Sequence, residues 1–294
     1  MNVFVTGASG FIGSAVVPEL IGAGHQVFGL ARSDAAAAAI VAAGATVQRG
    51  SLDQLEILHA AAAASDGVIH LAYIHDFSQM EAAARADLSA IETIGEALKD
   101  TNKPLVIASG ILGLAAGRPA TERDMPEVAA RRAISAKTTL DLASKGVRSS
   151  VVRLAPTVHG EGDQGFIAAL IGIARQKGVS GYVGDGHNRW PAVHRLDAAR
   201  LFRLALEVAP AASVLHGIAE EGVATRAIAE VIGQHLNVPV VSVPTEAAGE
   251  HFGWLGMFLA ADAPASSVLT RELLGWEPMQ PGLLADLEQH YFNA

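Results

Sequence analysis

The feature of this sequence that most constrains its fold is a glycine-rich turn close to the N-terminus. Residues 1–13 read MNVFVTGASGFIG, with an apolar stretch before the glycines and an apolar-faced helical pattern after them. Gly7 permits a tight turn, Gly10 lets the backbone approach a pyrophosphate, and Gly13 allows a helix to pack closely on the strand. The helix N-terminus adds free N–H groups and a positive dipole end. The turn predicts a dinucleotide site; a glycine turn without a ligand is the alternative.

Strand-like and helical segments then alternate through the first half of the chain. This rhythm is typical of a parallel sheet wrapped by helices, and it predicts a doubly wound, Rossmann-type α/β fold. The predicted strands are Val3–Val5, Gln26–Leu30, Thr46–Gln48, Val68–Ala72, Leu105–Ala108 and Ser150–Leu154. The predicted helices are Gly13–Gly22, Asp34–Ala43, Leu55–Ala64, Gln79–Lys99 and Pro126–Lys145.

After Pro156 the rhythm changes, because glycine and proline become frequent. The pattern predicts an exposed loop at Gly181–Pro191 and a loop-rich end. Between them it predicts two helices and a strand, at Leu196–Val208, Thr225–His235 and Val240–Val243. We therefore expect a dinucleotide-binding domain at residues 1–155, with a return segment near 188–218. Residues 156–294 are expected to form mainly a smaller substrate-capping region.

Composition excludes several classes of function. The 294 residues are 50% hydrophobic and carry a net charge of −9, which argues against nonspecific binding to nucleic acid or to an anionic membrane. The longest apolar stretches are shorter than the ~20 residues that a membrane helix needs. The first ten residues run directly into the strand and turn without a signal core. We expect a cytoplasmic protein.

The absence of cysteine excludes a disulfide framework, a thiolate zinc site and a cysteine nucleophile. The second half contains three candidate metal ligands, the histidines His159, His187 and His194. Their spacing matches no helical pair of ligands, and each has an ordinary structural explanation. We expect no metal.

The residues after the second predicted strand bear on the choice between NAD and NADP. An acidic residue there would bind the ribose 2′-hydroxyl, whereas an arginine suits a 2′-phosphate. Ala31 stands where the acid is expected, and Arg32 follows it. Asp34 is able to bind a ribose, but its position also suits the N-cap of the next helix. The pattern favours NADP, with NAD as the alternative.

Beyond the turn, the chain resembles a known family along most of its length. TGASGFIG at 6–13 resembles the signature of extended short-chain dehydrogenases/reductases, the NAD-dependent epimerase/dehydratase group. Gly50–Asp53 resembles the turn that flanks the adenine, and His70–Ala72 resembles the end of strand four beside the cofactor. Arg153–Gly160 and His194–Ala198 resemble the segments that lead into and out of the substrate domain. The residue types and the family resemblance together predict which residues contact the cofactor. They are Gly7, Ser9, Gly10, Phe11, Ile12, Gly13, Arg32, Ser33, Leu52, Leu71, Ala72 and Lys137.

The chain departs from the family pattern at one of the residues that carry out the family's chemistry. The family uses Tyr-x-x-x-Lys on the helix after strand five, where the lysine lies on the tyrosine's helical face and depresses its pKa. Lys137 fits the lysine position, and Asp141 fits an acidic residue one turn later. The tyrosine position is then Ala133. No tyrosine occurs between Tyr73 and Tyr182, so the chain resembles an atypical branch that lacks the usual proton donor.

Other residues are candidates for the missing roles. Ser109 is close to the family's catalytic serine, although another alignment places Gly110 there. Tyr73, His75 and Asp76 follow predicted strand four, at the carboxyl end where doubly wound sheets bind their ligands. Imidazole ordinarily titrates near neutral pH, so His75 is a candidate general acid, and Tyr73 is the alternative. Each of these residues has a purely structural role as its competing interpretation.

The sequence as a whole predicts an NADP-linked oxidoreductase acting on a small carbonyl or alcohol, with a nonstandard proton donor. A catalytically silent dinucleotide-binding sensor is the alternative from another class of protein. A nicotinamide-dependent epimerase or dehydratase is the third interpretation. The expected partner is a small-molecule substrate, with a homodimer as an open possibility for assembly and no role for nucleic acid or membrane.

Overall fold

A computed structural model describes residues 1–74, 79–115, 117–125 and 131–292. Within these ranges the strands are β1 (Asn2–Thr6), β2 (Gln26–Ala31), β3 (Thr46–Arg49), β4 (Gly67–His70), β5 (Pro104–Gly110), β6 (Arg148–Leu154), β7 (Thr157–His159), β8 (Ser180–Val183), β9 (Arg189–His194), β10 (Ser213–Gly217), β11 (Glu220–Ala224) and β12 (Val240–Val243). Seven of these strands form a sheet in the order β10-β6-β5-β4-β1-β2-β3, and every neighbouring pair in it is parallel.

The α-helices in the described ranges are α1 (Gly13–Gly22), α2 (Asp34–Ala42), α3 (Leu55–Ala64), α4 (Met80–Leu98), α5 (Arg131–Asp141), α6 (Phe166–Lys177), α7 (Arg195–Val208), α8 (Thr225–Leu236), α9 (Ala248–Phe252), α10 (Gly256–Leu259), α11 (Val268–Leu274) and α12 (Leu283–His290). They cover both faces of the large sheet, as a buried parallel sheet requires. The predicted doubly wound α/β fold of the Rossmann type is therefore confirmed.

Strand β1 shows why this sheet is apolar on both sides. Val3 and Val5 join an apolar cluster that includes α1 and α7, whereas Phe4 joins a second cluster on the other face, which includes α3 and α4. Successive side chains of a strand point to opposite faces, so a strand covered on both sides reads as a continuous apolar run.

The order of the strands places a crevice beside β1. From β1 the chain proceeds to β2 and β3 on one side, and then continues at β4 on the other side. At such a switch point the loops leave in opposite directions and open a cleft at the carboxyl ends of the strands. Gly7 follows β1 and Leu71 follows β4, so both segments lie at this cleft.

A third apolar cluster draws its residues from the second half of the chain. Its members include Ile167, Trp190, Phe252 and Leu287. Two small sheets accompany it, one with the order β11-β9-β7 and one with β12 beside β8. Strand β10 belongs to neither small sheet. It pairs with β6 and forms one edge of the large sheet.

The prediction of an exposed loop at Gly181–Pro191 is confirmed only for the connection at 184–188 and is wrong for the rest of the segment. Strands β8 and β9 occupy most of that segment, and Trp190 is fully buried. Pro191 lies in β9 opposite the point where the pairing with β11 shifts register, between Glu220 and Val223. A bulge accommodates a residue that has no backbone N–H, so proline is compatible with the strand there.

The prediction of a loop-rich end is also wrong, since four short helices, α9 to α12, follow β12. Glycine and proline separate these helices, and the short periodic segments between them fall below the length at which helical periodicity is readable. Burial of Phe252, Leu259 and Leu287 stabilises them in place of intrinsic helix propensity.

No helix in the described part of the chain is long and apolar enough to cross a membrane. The described residues contain no group of three or more histidine, aspartate or glutamate side chains placed to hold a metal ion.

Candidate functional site

The glycine turn packs so tightly that two of its glycines admit no side chain. Gly7 has φ +69°, and a Cβ there would lie 2.7 Å from the amide nitrogen of Ala72. A Cβ on Gly13 would lie 2.0 Å from the carbonyl oxygen of Gly7. A Cβ on Gly10 would meet only that same oxygen, at 3.2 Å. Gly7 and Gly13 are therefore required by packing, whereas Gly10 faces open space beside the turn.

The turn leaves its amides available to an anion. The amide of Gly10 donates to Gly7 at 3.0 Å, and the amide of Ser14 donates to Gly10 at 2.8 Å. Within the described residues, the amides of Phe11 and Ile12 donate no hydrogen bond. They precede α1, whose first turn contains no acidic residue. Free N–H groups at the positive end of a helix dipole fit a pyrophosphate.

A buried hydrogen-bond chain holds the end of β4 against this turn. The Thr6 hydroxyl accepts from the amide of Ala72 at 3.2 Å and lies 2.8 Å from Nδ1 of His70. Nε2 of His70 lies 3.3 Å from a carboxylate oxygen of Asp87 on α4. A His70 that carries its proton on Nε2 satisfies all three contacts, because the Thr6 hydroxyl then donates to Nδ1. This chain fixes Leu71 and Ala72 beside Gly7.

Sequence reasoning missed Thr6 and Asp87 as parts of this arrangement. The partners of His70 are 64 and 17 residues away in the sequence, and only the sheet and α4 bring them together. The usable signal was the position of Thr6 at the end of an apolar strand, directly before the glycines.

At the other end of the crevice, Arg32 is exposed directly after β2. Ser33 caps α2, since its hydroxyl oxygen accepts from the amide of Ala36 at 3.2 Å. The suggested N-cap role of Asp34 is therefore wrong. Asp34 lies in the first turn of α2 and pairs with Arg49 at 2.6 Å.

Arg49 is a second cation at this place that sequence reasoning missed. It ends β3, and its Cα is the register partner of Ala31, the residue before Arg32. Its ion pair with Asp34 is solvent-exposed, and such pairs contribute little to stability. The parallel pairing of β2 with β3 thus brings Arg32 and Arg49 to the same end of the two strands.

The predicted adenine-flanking turn follows β3. Gly50 has φ +156°, and a Cβ there would lie 2.9 Å from Cγ2 of Ile57. Leu52 is partly buried in the turn. A hydrogen bond from the Ser51 side chain lowers the pKa of the exposed Asp53. The turn is compact and presents Leu52 beside a carboxylate that is charged at neutral pH.

The residues predicted for chemistry lie on three neighbouring elements. Ser109 is buried near the end of β5, with 9% of its surface exposed. Gly110 follows it at an exposed position with no atom within 4 Å of an added Cβ. On β5, the residue with open space beside it is therefore Gly110, which has no hydroxyl, and not Ser109.

Helix α5 carries Ala133 and Lys137, the two residues that the sequence resemblance aligns with the family's tyrosine and lysine. Ala133 is 9% exposed, and Lys137 is exposed and pairs with Asp141 at 2.5 Å. Tyr73, directly after the β4 end, is partly buried. His75 and Asp76 lie outside the described residues.

Two of the three histidines considered for a metal do lie together. The rings of His159 and His194 are 5.3 Å apart and nearly perpendicular, and Nδ1 of His159 lies 2.7 Å from Asp286. His187 is exposed and separate from them. Burial, followed by the charge of His159, lowers the pKa of His194. Burial opposes ionisation of Asp286, but hydrogen bonds from His159 and His290 lower its pKa.

Comparison with known proteins agrees with this geometry. An uncharacterized protein of Schizosaccharomyces pombe is 50% identical over 289 residues, which cover 98% of both chains. The 4-hydroxy-2-methyl-3-oxo-4-farnesyl-3,4-dihydroquinoline-1-oxide ketoreductase of Stigmatella aurantiaca is 28% identical, over 90% of this chain and 84% of its own. The solved structure of the dTDP-glucose 4,6-dehydratase DesIV from Streptomyces venezuelae, with NAD and TYD bound, matches with a TM-score of 0.79 at 19% identity, over 98% of this chain and 95% of its own.

The solved structure shows the shared fold, and the family follows from the sequence matches. The model of the NAD dependent epimerase/dehydratase family matches residues 3–214, which include the glycine turn and run from the second residue of β1 to the second residue of β10. The chain belongs to the NAD-dependent epimerase/dehydratase family.

Proposed function

We propose that this protein is an NADP-linked oxidoreductase that transfers hydride between the nicotinamide and a small carbonyl or alcohol. The observation that carries the proposal is the glycine turn, whose Phe11 and Ile12 amides are free at the N-terminus of α1. The ketoreductase among the relatives supports a carbonyl substrate. When bound, the reduced cofactor supplies the hydride, and the protein supplies the proton that the carbonyl oxygen takes up.

In this proposal, different parts of the crevice bind different parts of the cofactor and the substrate. The amides of the turn bind the pyrophosphate, and Ser9, Leu71 and Ala72 line the same cleft. Arg32 and Arg49 bind the 2′-phosphate, and Leu52 contacts the adenine. Lys137 binds the nicotinamide ribose, and Ser109 orients the carbonyl. Residues 1–155 and 188–218 hold the cofactor, and residues 156–294 mainly cover the substrate.

A sensor that binds the dinucleotide without turning it over is the second candidate. The observation that favours it is that α5 contains no tyrosine; the resemblance aligns Ala133 with the family's tyrosine. The two candidates differ in turnover and agree in binding. NADPH oxidation with any member of a broad panel of carbonyl compounds supports the oxidoreductase, whereas tight NADPH binding without oxidation across the panel supports the sensor.

We expect the parent protein to bind NADPH more tightly than NADH, and Arg32→Ala to remove most of that preference. A charge-assisted contact between arginine and phosphate contributes roughly 1.5–3 kcal/mol, so the variant should lose about tenfold or more in NADPH affinity. Titration calorimetry with both cofactors measures the effect. Arg175→Ala, which removes an exposed arginine from α6, is the matched control and should bind like the parent. Equal affinities of the parent for NADPH and NADH would overturn the NADP assignment.

We also propose that the protein forms a homodimer through the outer faces of α4 and α5. A shallow groove there is lined by the apolar side chains of Ala84, Leu88 and Ile134, with Glu81 and Arg85 at its edge. Ile134 is 48% exposed although it is a large aliphatic side chain. An exposed apolar patch rimmed by charges is typical of a protein–protein contact.

The dimer proposal predicts that Ile134→Asp gives a monomer, because a carboxylate in an apolar contact loses its hydration. Size-exclusion chromatography with light scattering measures the mass. The control is Met279→Asp, which changes another exposed apolar residue, 69% exposed, and should leave the dimer intact. A parent protein that is monomeric at micromolar concentration contradicts the proposal.

A further inference from the structure

Arg195 places a positive charge at the glycine turn. Its guanidinium carbon lies 5.3 Å from the centroid of the Phe11 ring. Phe11 is the turn residue whose free amide precedes α1. The two residues are far apart in the sequence, and neither the glycine pattern nor the Arg32 position points to this contact. We propose that Arg195 is a further cofactor-binding residue, whose guanidinium binds the pyrophosphate of the dinucleotide together with the amides of the turn.

The position of Arg195 in its own helix argues against a local stabilising role. It is the first residue of α7, directly after the N-cap His194, whose Nδ1 accepts from the amide of Leu196 at 3.2 Å. The N-terminus of a helix is the positive end of its dipole, so a cation there is unfavourable for α7. The acidic residue of that first turn is Asp197, whose carboxylate accepts from the amides of Met279 and Gln280.

Arg195 also lacks the anionic partner that several other arginines of the chain have. Arg189 pairs with Asp262, Arg203 with Glu19 and Arg226 with Glu230, all within 3 Å. Among the described residues, Arg195 has no hydrogen bond and no ion pair with a carboxylate. A partly buried guanidinium that pairs with no carboxylate of the described residues is suited to an anionic ligand. An arginine matches phosphate geometry with two parallel N–H donors.

The segment after β7 holds the stem of Arg195 in place. Gly160 has φ +139°, and a Cβ there would lie 3.0 Å from Cγ of Arg195 and 3.1 Å from Nε2 of His194. A residue with a side chain would therefore displace the arginine stem from its path. The stem is fixed by packing and the ring of Phe11 lies under the guanidinium, so the charge is held at the turn before any ligand binds. Such preorganisation reduces the entropy that binding costs.

The inference rests on the proposed dinucleotide binding and adds a residue to that same site. It predicts a division of labour between two arginines: Arg32 reads the 2′-phosphate, and Arg195 binds the pyrophosphate. Two probes separate these tasks. NADPH contains both groups, whereas adenosine 2′-monophosphate contains the 2′-phosphate and no pyrophosphate.

The test measures the affinity of Arg195→Gln for both probes by calorimetry, with thermal unfolding as the check on folding. We expect about tenfold or more weaker binding of NADPH, by loss of a charge-assisted contact, and unchanged binding of adenosine 2′-monophosphate. The preference for NADPH over NADH should also stay unchanged. Arg32→Ala should instead weaken both probes. Arg200→Gln, on the same helix, is the control and should bind both probes like the parent.

Arg195→Gln with parental NADPH affinity would overturn the inference and leave the proposed function intact. An equal loss for both probes would also overturn it, because it would mean general damage to the site. A parent protein that binds neither dinucleotide nor adenosine 2′-monophosphate would overturn the proposed function itself, together with this inference.

Discussion

We expect the Gly10→Val variant to fold and to bind no dinucleotide. Gly10 is exposed, and an added Cβ would approach only the Gly7 carbonyl oxygen, at 3.2 Å, so the turn needs at most a small adjustment. The two methyl groups of valine then occupy the space through which a pyrophosphate reaches the amides of Phe11 and Ile12. Titration with NADPH measures binding, and circular dichroism with thermal unfolding measures folding.

The choice of Gly10 matters, because its neighbours cannot separate binding from folding. A Cβ on Gly13 would lie 2.0 Å from the Gly7 carbonyl, so any side chain there distorts the turn itself. Gly172→Val is the matched control, since Gly172 is exposed on α6 and has no atom within 4 Å of an added Cβ. Undiminished NADPH binding in a folded Gly10→Val variant would mean that the phosphates bind elsewhere.

The second large effect concerns the proton donor. We expect His75→Ala to reduce turnover of a carbonyl substrate by about 10²–10⁴-fold, which is the usual contribution of a positioned general acid. NADPH affinity should stay nearly unchanged, because His75 is not among the residues proposed to bind the cofactor. Steady-state rates of NADPH oxidation, together with a separate binding titration, measure the two quantities.

Tyr73→Phe tests the rival donor, because it removes only the phenolic proton. Tyr73 directly follows Ala72, whose amide is fixed by Thr6 beside Gly7. The side chain therefore leaves the backbone at the crevice. If Tyr73→Phe loses turnover and His75→Ala retains it, tyrosine is the donor and the assignment to His75 is wrong. Full activity in both variants would exclude this segment as the proton source.

The parts of the fold that could be predicted are those that short stretches of sequence encode. The glycine turn is encoded in thirteen consecutive residues, and its apolar strand and helix each have their own readable pattern. Strands β1, β2 and β3 and helices α1 and α3 begin and end within a few residues of the prediction for this reason. The family resemblance, carried by motifs in order along the chain, is confirmed by the match over residues 3–214.

The second half was predicted only in part: α7, α8 and β12 begin and end within one residue of the prediction, whereas β8, β9 and the helices after β12 were not predicted because they depend on distant partners. Strand β9 contains Trp190 and Pro191, and it becomes a strand by lying between β7 and β11. Local composition favours a turn there, and only burial of Trp190 against the other elements overrides that preference. A pairing partner that lies tens of residues away leaves no signal in a local window of sequence.

The same division runs through the candidate site. The sequence by itself determined the turn, the position of Arg32 and the lack of a tyrosine within residues 131–141, because each depends on residue identity at a known spacing. Tertiary structure alone decided that Arg49 lies beside Arg32 and that Arg195 lies over Phe11. The first contact requires the β2–β3 register, and the second requires α7 to pack on α1. The physical reason is that the charge and shape of a binding site depend on all the elements that meet there, whereas a sequence motif describes only one element.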